Sequence, residues 1–252
     1  MATDIAVVIL AAGLGTRMRS DKAKVLHEMC GRPLISHVVD AAEKASLTGI
    51  IAVVGHQAEK VKHCIRQDCA AARFALQPEQ LGTGHAVQCA LEHLRPGEKD
   101  VLILCGDVPL ITPQTLQRFI TSHRAEEQHL TVMAVTTDSP RGYGRLIIDR
   151  KGQVLRIVEE ADATPEQKEI RTVNAGIYCV DGTVLKGLLS QIGSDNAQQE
   201  IYLTDIVEIG NREGCRIGAF NCPDSQEVIG VNSIEDLQYA EKIMKSGSLK
   251  RS

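Results

Sequence analysis

Ile5-Ala6-Val7-Val8-Ile9-Leu10 runs straight into Ala11-Ala12-Gly13-Leu14-Gly15-Thr16-Arg17-Met18. The first six residues are a continuous apolar run of strand length. Continuity rather than alternation implies burial on both faces, as in a mostly parallel sheet covered by helices. The small residues and glycines that follow let the backbone approach a ligand, and N–H groups exposed in such a turn suit phosphate oxygens. Three phosphate loops compete here. A dinucleotide fingerprint needs a small residue where Met18 stands, and a Walker loop needs a terminal Gly-Lys-Ser/Thr that this segment lacks. The third offers its own cation, Arg17, with Lys24 a few residues on. Two cations beside a phosphate-sized nest imply a polyanionic ligand. A tight turn with solvated Arg and Lys side chains accounts for the segment equally well when it is taken alone.

Outward from this stretch the chain alternates apolar runs with helix-period segments. Leu34, Ile35, Val38, Val39 and Ala42 recur at helical spacing behind Pro33. A strand over 50–54, a helix over 57–66, a short strand over 74–76 and a helix over 83–94 follow. The run Val101-Leu102-Ile103-Leu104, a helix over 113–126 and a strand over 130–135 complete a βαβ series. After Thr136 the rhythm changes: glycines bound Leu146-Ile147-Ile148, and Val154 to Val158 comes next, which predicts an inserted antiparallel hairpin. Strand signals return at 177–180 and 215–220, helix signals at 184–189, 203–211 and 234–244, ahead of a polar tail from Lys245 to Ser252. The expectation is an α/β fold with a Rossmann-like, mostly parallel sheet, helices on both faces and an antiparallel insertion.

Composition narrows the function classes. At 252 residues, 43% hydrophobic and 24% charged, the chain is ordinary globular material, which excludes disordered, collagen-like and coiled-coil readings. A net charge of -4, 3% aromatic residues and no Trp speak against nucleic-acid binding. No apolar stretch approaches the ~20 residues that cross a bilayer. Met1 to Asp4 carries no basic segment of the kind that opens a secretory signal. The eight cysteines form no C-x-x-C pair and several sit in apolar runs, so reduced thiols, a cytoplasmic location and no structural zinc are expected.

In Leu104-Cys105-Gly106-Asp107-Val108-Pro109, a carboxylate emerges just past a buried strand, at the edge where parallel sheets bind ligands. Asp107 is placed to hold Mg²⁺, a hard ion that takes one or two carboxylates plus substrate phosphates. Its plainer role would be to cap the following helix or turn. Together with the cationic glycine loop, this Asp points to nucleotide phosphate chemistry.

At this level the chain resembles the sugar-1-phosphate nucleotidyltransferases, through Leu10-Ala11-Ala12-Gly13-Leu14-Gly15-Thr16-Arg17-Met18 with Lys24 downstream. Gln77-Pro78-Glu79-Gln80-Leu81-Gly82-Thr83-Gly84-His85-Ala86, Gly106-Asp107-Val108-Pro109-Leu110, Gly142-Tyr143-Gly144-Arg145, Ile157-Val158-Glu159, Asn174-Ala175-Gly176-Ile177 and Gly230-Val231-Asn232 follow in order. Across nearly the whole chain they resemble the uridyltransferase domain of the bacterial N-acetylglucosamine-1-phosphate uridyltransferases. That resemblance implies a nucleotidyltransferase domain over residues 1–232, then a C-terminal helix and tail over 233–252. Ala12, Gly13, Gln77, Gly82 and Thr83 would surround the uracil, beside Leu10, Ala11 and Gly106 in the substrate motifs. Gly144, Glu159 and Asn174 would read the sugar. Asp107 and Asn232 would hold Mg²⁺, and Arg17 and Lys24 would bind phosphates as the catalytic cations. An amide such as Gln77 carries the donor and acceptor that a uracil edge requires. Without the family, Glu159 would pass as a solvated residue and Asn232 as a helix cap. His27, His56 and His85 are assigned no catalytic role.

The implied reaction joins UTP and N-acetylglucosamine 1-phosphate into UDP-N-acetylglucosamine and pyrophosphate, a step that supplies cell-wall precursors. A phosphate monoester with a second pKa near ~6 is already a nucleophile at neutral pH. No Ser-His-Asp or Cys-His arrangement offers covalent catalysis, and the expected step is direct in-line displacement. Ala23 stands where the family has Pro, which is expected to loosen the approach to Lys24. Cys105 replaces a frequent Tyr, and Ala175 a frequent Thr. The family's left-handed β-helix of hexapeptide repeats does not follow before Ser252, so neither acetyltransferase activity nor a trimer built by that domain is carried over, though self-association by other means stays open. Another nucleotidyltransferase with a different nucleotide or sugar, and a non-catalytic nucleotide-sugar-binding module, are the competing readings.

Overall fold

In the computed structural model, residues 4–18, 20–150 and 152–247 are described. The tail past residue 247 and the N-terminal residues 1–3, both read above, lie outside that set. Ile5–Ala11 is β1, buried along almost its whole length as its unbroken apolar run requires. Among the described residues eight strands join it in one nine-stranded sheet: β2 Gly49–Val54, β3 Arg73–Leu76, β4 Asp100–Cys105, β5 Leu130–Thr136, β6 Arg145–Ile148, β7 Val154–Val158, β8 Thr172–Asp181 and β9 Ile217–Asn221. The helices are α1 Leu34–Lys44, α2 Ala58–Asp68, α3 Thr83–Ala90, α4 Pro113–Ala125, α5 Pro165–Lys168, α6 Gly182–Leu189, α7 Asp205–Arg212 and α8 Ile234–Ser246.

The sheet runs β9-β5-β8-β4-β1-β2-β3, with β6 and β7 attached through β8. Pairs along β4-β1-β2-β3 and between β9 and β5 are parallel. Strand β8 is antiparallel to both β4 and β5. The mostly parallel expectation therefore holds, with one reversed strand near the middle. That strand begins at Thr172, five residues before the apolar run that signalled it, and its register on β5 shifts between Asn174 and Tyr178. The hairpin read from Leu146 to Val158 is present as β6 and β7.

Period-2 side-chain direction divides β1 between two cores. Ile5, Val7, Ile9 and Ala11 pack under α1, α2 and α4, with Val38, Ile65 and Phe119. Ala6 and Val8 face α3, α6 and α7, with Val87, Leu185 and Ile206. A smaller cluster joins Ala240 and Ile243 of α8 to Met18, Met29, Leu34, Leu110 and Val231. Two small pieces went unread: the hairpin pairing Glu28–Met29 with Arg32–Pro33, and α5, started by a Thr164/Gln167 capping box. Neither is long enough to show a period.

Candidate active site

β1 and β4 lie side by side and parallel, with Leu10 opposite Cys105, so their carboxyl ends open at one edge. The Gly106 N–H donates to the Leu10 carbonyl (2.9 Å), which sets Asp107 beside the start of the glycine loop. That loop turns back through one 3-10 turn, Thr16–Met18, closed by Met18 N–H on the Gly15 carbonyl. Gly15 has φ +72°, and a Cβ there would lie 2.6 Å from Cβ of Lys24, so only glycine lets the loop fold down against the lysine.

Four side chains then meet. Lys24 Nζ pairs with Asp107 Oδ2 and donates to Asn232 Oδ1 at 3.1 Å, and Arg17 Nη2 donates to that same amide oxygen at 3.0 Å. Asn232 arrives from the far end of the chain. The Val231 N–H donates to the Asp107 carbonyl (2.8 Å), and Asp236 accepts from the N–H groups of both Asn232 and Ser233. Capping does not occupy either ligand-like residue: α8 is capped by Ser233 and α4 by Thr112.

A cavity of about 590 Å³ opens beside this cluster. Of the expected residues it is lined by Leu10, Arg17, Thr83, Asp107, Gly144, Glu159, Asn174 and Asn232. Lys24 is not on its wall but reaches the two wall residues Asp107 and Asn232. Ala11, Ala12, Gly13, Gln77, Gly82 and Gly106 do not line it. Gln77 is buried and its amide nitrogen donates to the Gly82 carbonyl at 3.0 Å, so half of its expected base-reading capacity is spent on the turn before α3. The Thr83 hydroxyl accepts from the Leu203 N–H at 3.0 Å. Arg141, Tyr143, Tyr178, Thr204 and Asp236 line the cavity without having been anticipated. Of these, only Tyr143 lay inside a motif that the sequence reading used; the others stand in segments with no spacing rule.

The cavity lining also carries polar side chains that take no part in that cluster, Glu159 and Asn174 among them. Glu159 Oε1 accepts from the Thr204 hydroxyl at 3.1 Å. Burial, reinforced by Asp205, Asp162 and Glu200, holds its carboxyl above the usual carboxylate range. Asn174 donates to the Tyr178 hydroxyl (2.7 Å) and accepts from the Gly176 N–H (2.9 Å). Burial pushes the Cys105 thiol up to about 12, so it is a protonated donor to the Gly176 carbonyl at 3.3 Å and no nucleophile. Ala23 corrects one expectation. It is fully buried at φ -53°, a value proline also takes, and its N–H donates to Gln57 Oε1 at 3.4 Å. The approach to Lys24 is held by an added hydrogen bond, not loosened. His27, His56 and His85 stand outside the cavity lining. His56 and His85 each place a ring nitrogen near a backbone carbonyl, of Asp21 and Glu79.

Among the described residues no three His, Cys, Asp or Glu side chains gather as a metal-binding group, and no helix is long and apolar enough to cross a membrane. Comparison with known proteins places the chain in company. The family described as the MobA-like NTP transferase domain matches residues 7–174. The bifunctional protein GlmU of Geobacter metallireducens is 48% identical over 243 residues, 96% of this chain and 51% of that protein. GlmU of Trichlorobacter lovleyi is 46% identical over 95% of this chain and 52% of its own length, and GlmU of Clostridioides difficile 42% over 94% and 51%. The chain thus spans about half the length of the curated relatives it matches. Among solved structures, a chain described as a glucose-1-phosphate thymidylyltransferase from Bacillus anthracis, crystallised with sucrose, superposes with a TM-score of 0.75. It shares 18% identity, covers 95% of this chain and 94% of its own, and shows the same fold.

Proposed function

The chain belongs to the MobA-like NTP transferase domain family and is a nucleotidyltransferase, and from that premise we propose that it transfers a uridylyl group from UTP to N-acetylglucosamine 1-phosphate, releasing pyrophosphate. The observation that carries this reading is the convergence of Arg17, Lys24, Asp107 and Asn232 beside a cavity that Glu159 and Asn174 also line. A polyphosphate on the cationic cluster and a hydroxylated ring against Glu159 and Asn174 would match those two sets of side chains. The similarity to the GlmU proteins, and the motifs of the resemblance to the uridyltransferase family, support UTP and an N-acetylated sugar 1-phosphate as the two substrates.

Mg²⁺ belongs to this reading, and the residues fit it. Asp107 Oδ2 and Asn232 Oδ1 accept from one ammonium group, so two oxygens, one anionic and one neutral, already converge on a cation. Such a pair leaves room for the phosphate oxygens and waters that Mg²⁺ prefers as its remaining ligands. When bound, the ion supplies neutralisation of phosphate charge. Everything else falls to the chain. Arg17 binds phosphate as a planar fork, and Lys24 as a point charge. Glu159 and Asn174 orient the sugar ring, and Tyr178 and Thr204 hold those two side chains in turn. The sugar phosphate needs no base to become nucleophilic, so positioning and charge neutralisation carry the displacement at the α-phosphorus of UTP.

The test is pyrophosphate release with UTP, Mg²⁺ and N-acetylglucosamine 1-phosphate, run against a panel of other nucleoside triphosphates and sugar phosphates. Highest kcat/KM for the UTP and N-acetylglucosamine 1-phosphate pair supports the reading. A clear preference for another pair replaces the substrates, and no turnover with any pair removes the activity.

A further inference from the structure

Arg145 is the largest of the fully buried side chains, 1% exposed. A guanidinium costs a great deal to bury unless it is paired and hydrogen-bonded. Its Nη1 pairs with Glu160 Oε2 at 2.5 Å and donates to the Tyr143 carbonyl, and its Nη2 donates to the Lys168 carbonyl at 3.4 Å. Glu160 also accepts from the Gly142 N–H at 3.2 Å. One buried cation therefore ties together the 142–143 turn, the residues after β7 and the end of α5. A hydrophobic side chain of the same volume would serve stability as well or better. What it could not do is donate at fixed angles to two carbonyls and a carboxylate.

The register shows what this fork holds. Arg145 pairs with Val158 on β7 and with Val173 on β8, both antiparallel to β6. One step along each strand, the next row across the three is Gly144, Glu159 and Asn174. The Asn174 N–H donates to the Gly144 carbonyl at 2.8 Å, and a Cβ on Gly144 would lie 3.4 Å from Glu159 Oε2. All three line the cavity, and they are the residues given to the acceptor's sugar ring above. Arg145 itself is not on the wall.

We propose that Arg145 is a positioning residue for the acceptor: its guanidinium, with Glu160, sets the spacing of the Gly144–Glu159–Asn174 row that the acceptor's ring must fit, while the cluster of Arg17, Lys24, Asp107 and Asn232, which it does not contact, is independent of it. This rests on the reading of the cavity given above. The fork acts only through backbone and carboxylate, so its loss changes acceptor binding and leaves UTP binding alone.

The experiment compares Arg145→Lys, Arg145→Met and Glu160→Gln with the wild type. It measures KM for the acceptor and the Kd of UTP with Mg²⁺ by calorimetry, alongside melting temperature. Acceptor KM rises about tenfold or more in Arg145→Met and by less in Arg145→Lys, which keeps the charge but loses the fork, with UTP Kd within about twofold throughout. Should Arg145→Met fail to fold, Glu160→Gln carries the same split, since Glu160 is partly exposed and its loss leaves the strands intact. Unchanged acceptor KM in all variants, or parallel loss of acceptor and UTP binding, overturns the inference. Wild-type turnover decides the substrate reading separately, and the split is read with whichever acceptor the wild type uses.

Discussion

Lys24 reaches Asp107 and Asn232 from a one-turn helix packed under Gly15, and neither oxygen is committed to capping a helix. These residues are thus spare for chemistry, and the consequence is measurable. Asp107→Asn and Lys24→Ala each lower kcat by about 10²–10³, the usual cost of removing one electrostatic stabiliser, with melting temperature nearly unchanged in both. Chelation of divalent ions stops wild-type turnover, and added Mg²⁺ restores it; turnover that persists in chelator sinks the metal assignment. At this scale the cationic cluster was legible in the sequence because glycine loops and strand-end carboxylates carry their chemistry locally. Asn232 was legible only through family motifs, since 215 positions separate it from Arg17 in the chain. Tyr178 and Thr204 left no such trace. Their roles come from contacts with Asn174 and Glu159, made by tertiary pairing and by the register shift in β8, which no local pattern encodes.

Elements were readable in proportion to their length. Strands β1, β2, β4 and β5 declared themselves as unbroken apolar runs, and helices α1, α2 and α4 because several turns repeat one period. The two-residue hairpin at Glu28 and the single turn of α5 repeat nothing. The direction of β8 was also invisible, because an apolar run reads the same in either sense. Where an element starts can nevertheless be dictated by one residue. Gly82, ahead of α3, has φ +114°, and a Cβ there would lie 2.6 Å from the Ile201 carbonyl oxygen and 2.8 Å from its nitrogen. Both obstacles are backbone, so neither can swing away. Gly82→Ala should lower the free energy of unfolding by about 1–3 kcal/mol or more, read as a lower urea midpoint. It should also weaken UTP binding under the proposed function, because Thr83 and Gln77 both lean on that turn. An unchanged midpoint contradicts the packing argument.

The whole molecule carries a net charge of only -4, yet Glu208 and Asp162 crowd one half-buried carboxyl. Asp205, at the start of α7, has its carboxyl pushed up to about 6 by burial and by Glu208 and Asp162. A carboxyl whose folded value lies above its unfolded one holds its proton more tightly when folded. Its contribution is therefore neutral below the ordinary value of 3.8, turns unfavourable as pH rises through the window to about 6, and stays unfavourable above it. Asp205→Asn should raise the melting temperature near neutral pH and gain nothing below pH 3.8. A gain of equal size at both ends of the range would assign the effect to something other than charge.

The reversed strand has a last consequence, for how the chain assembles. Strand β8 lies between β4 and β5 but is translated after both. Until residues 172–181 leave the ribosome, β5 has no neighbour linking it to the half-sheet already built, and β4 presents an open edge of unpaired backbone. The late strand is thus the keystone of the sheet. A nascent chain halted before it would expose the β4 edge and a β5 bare on both sides, the condition in which one molecule most readily pairs with another instead of with itself.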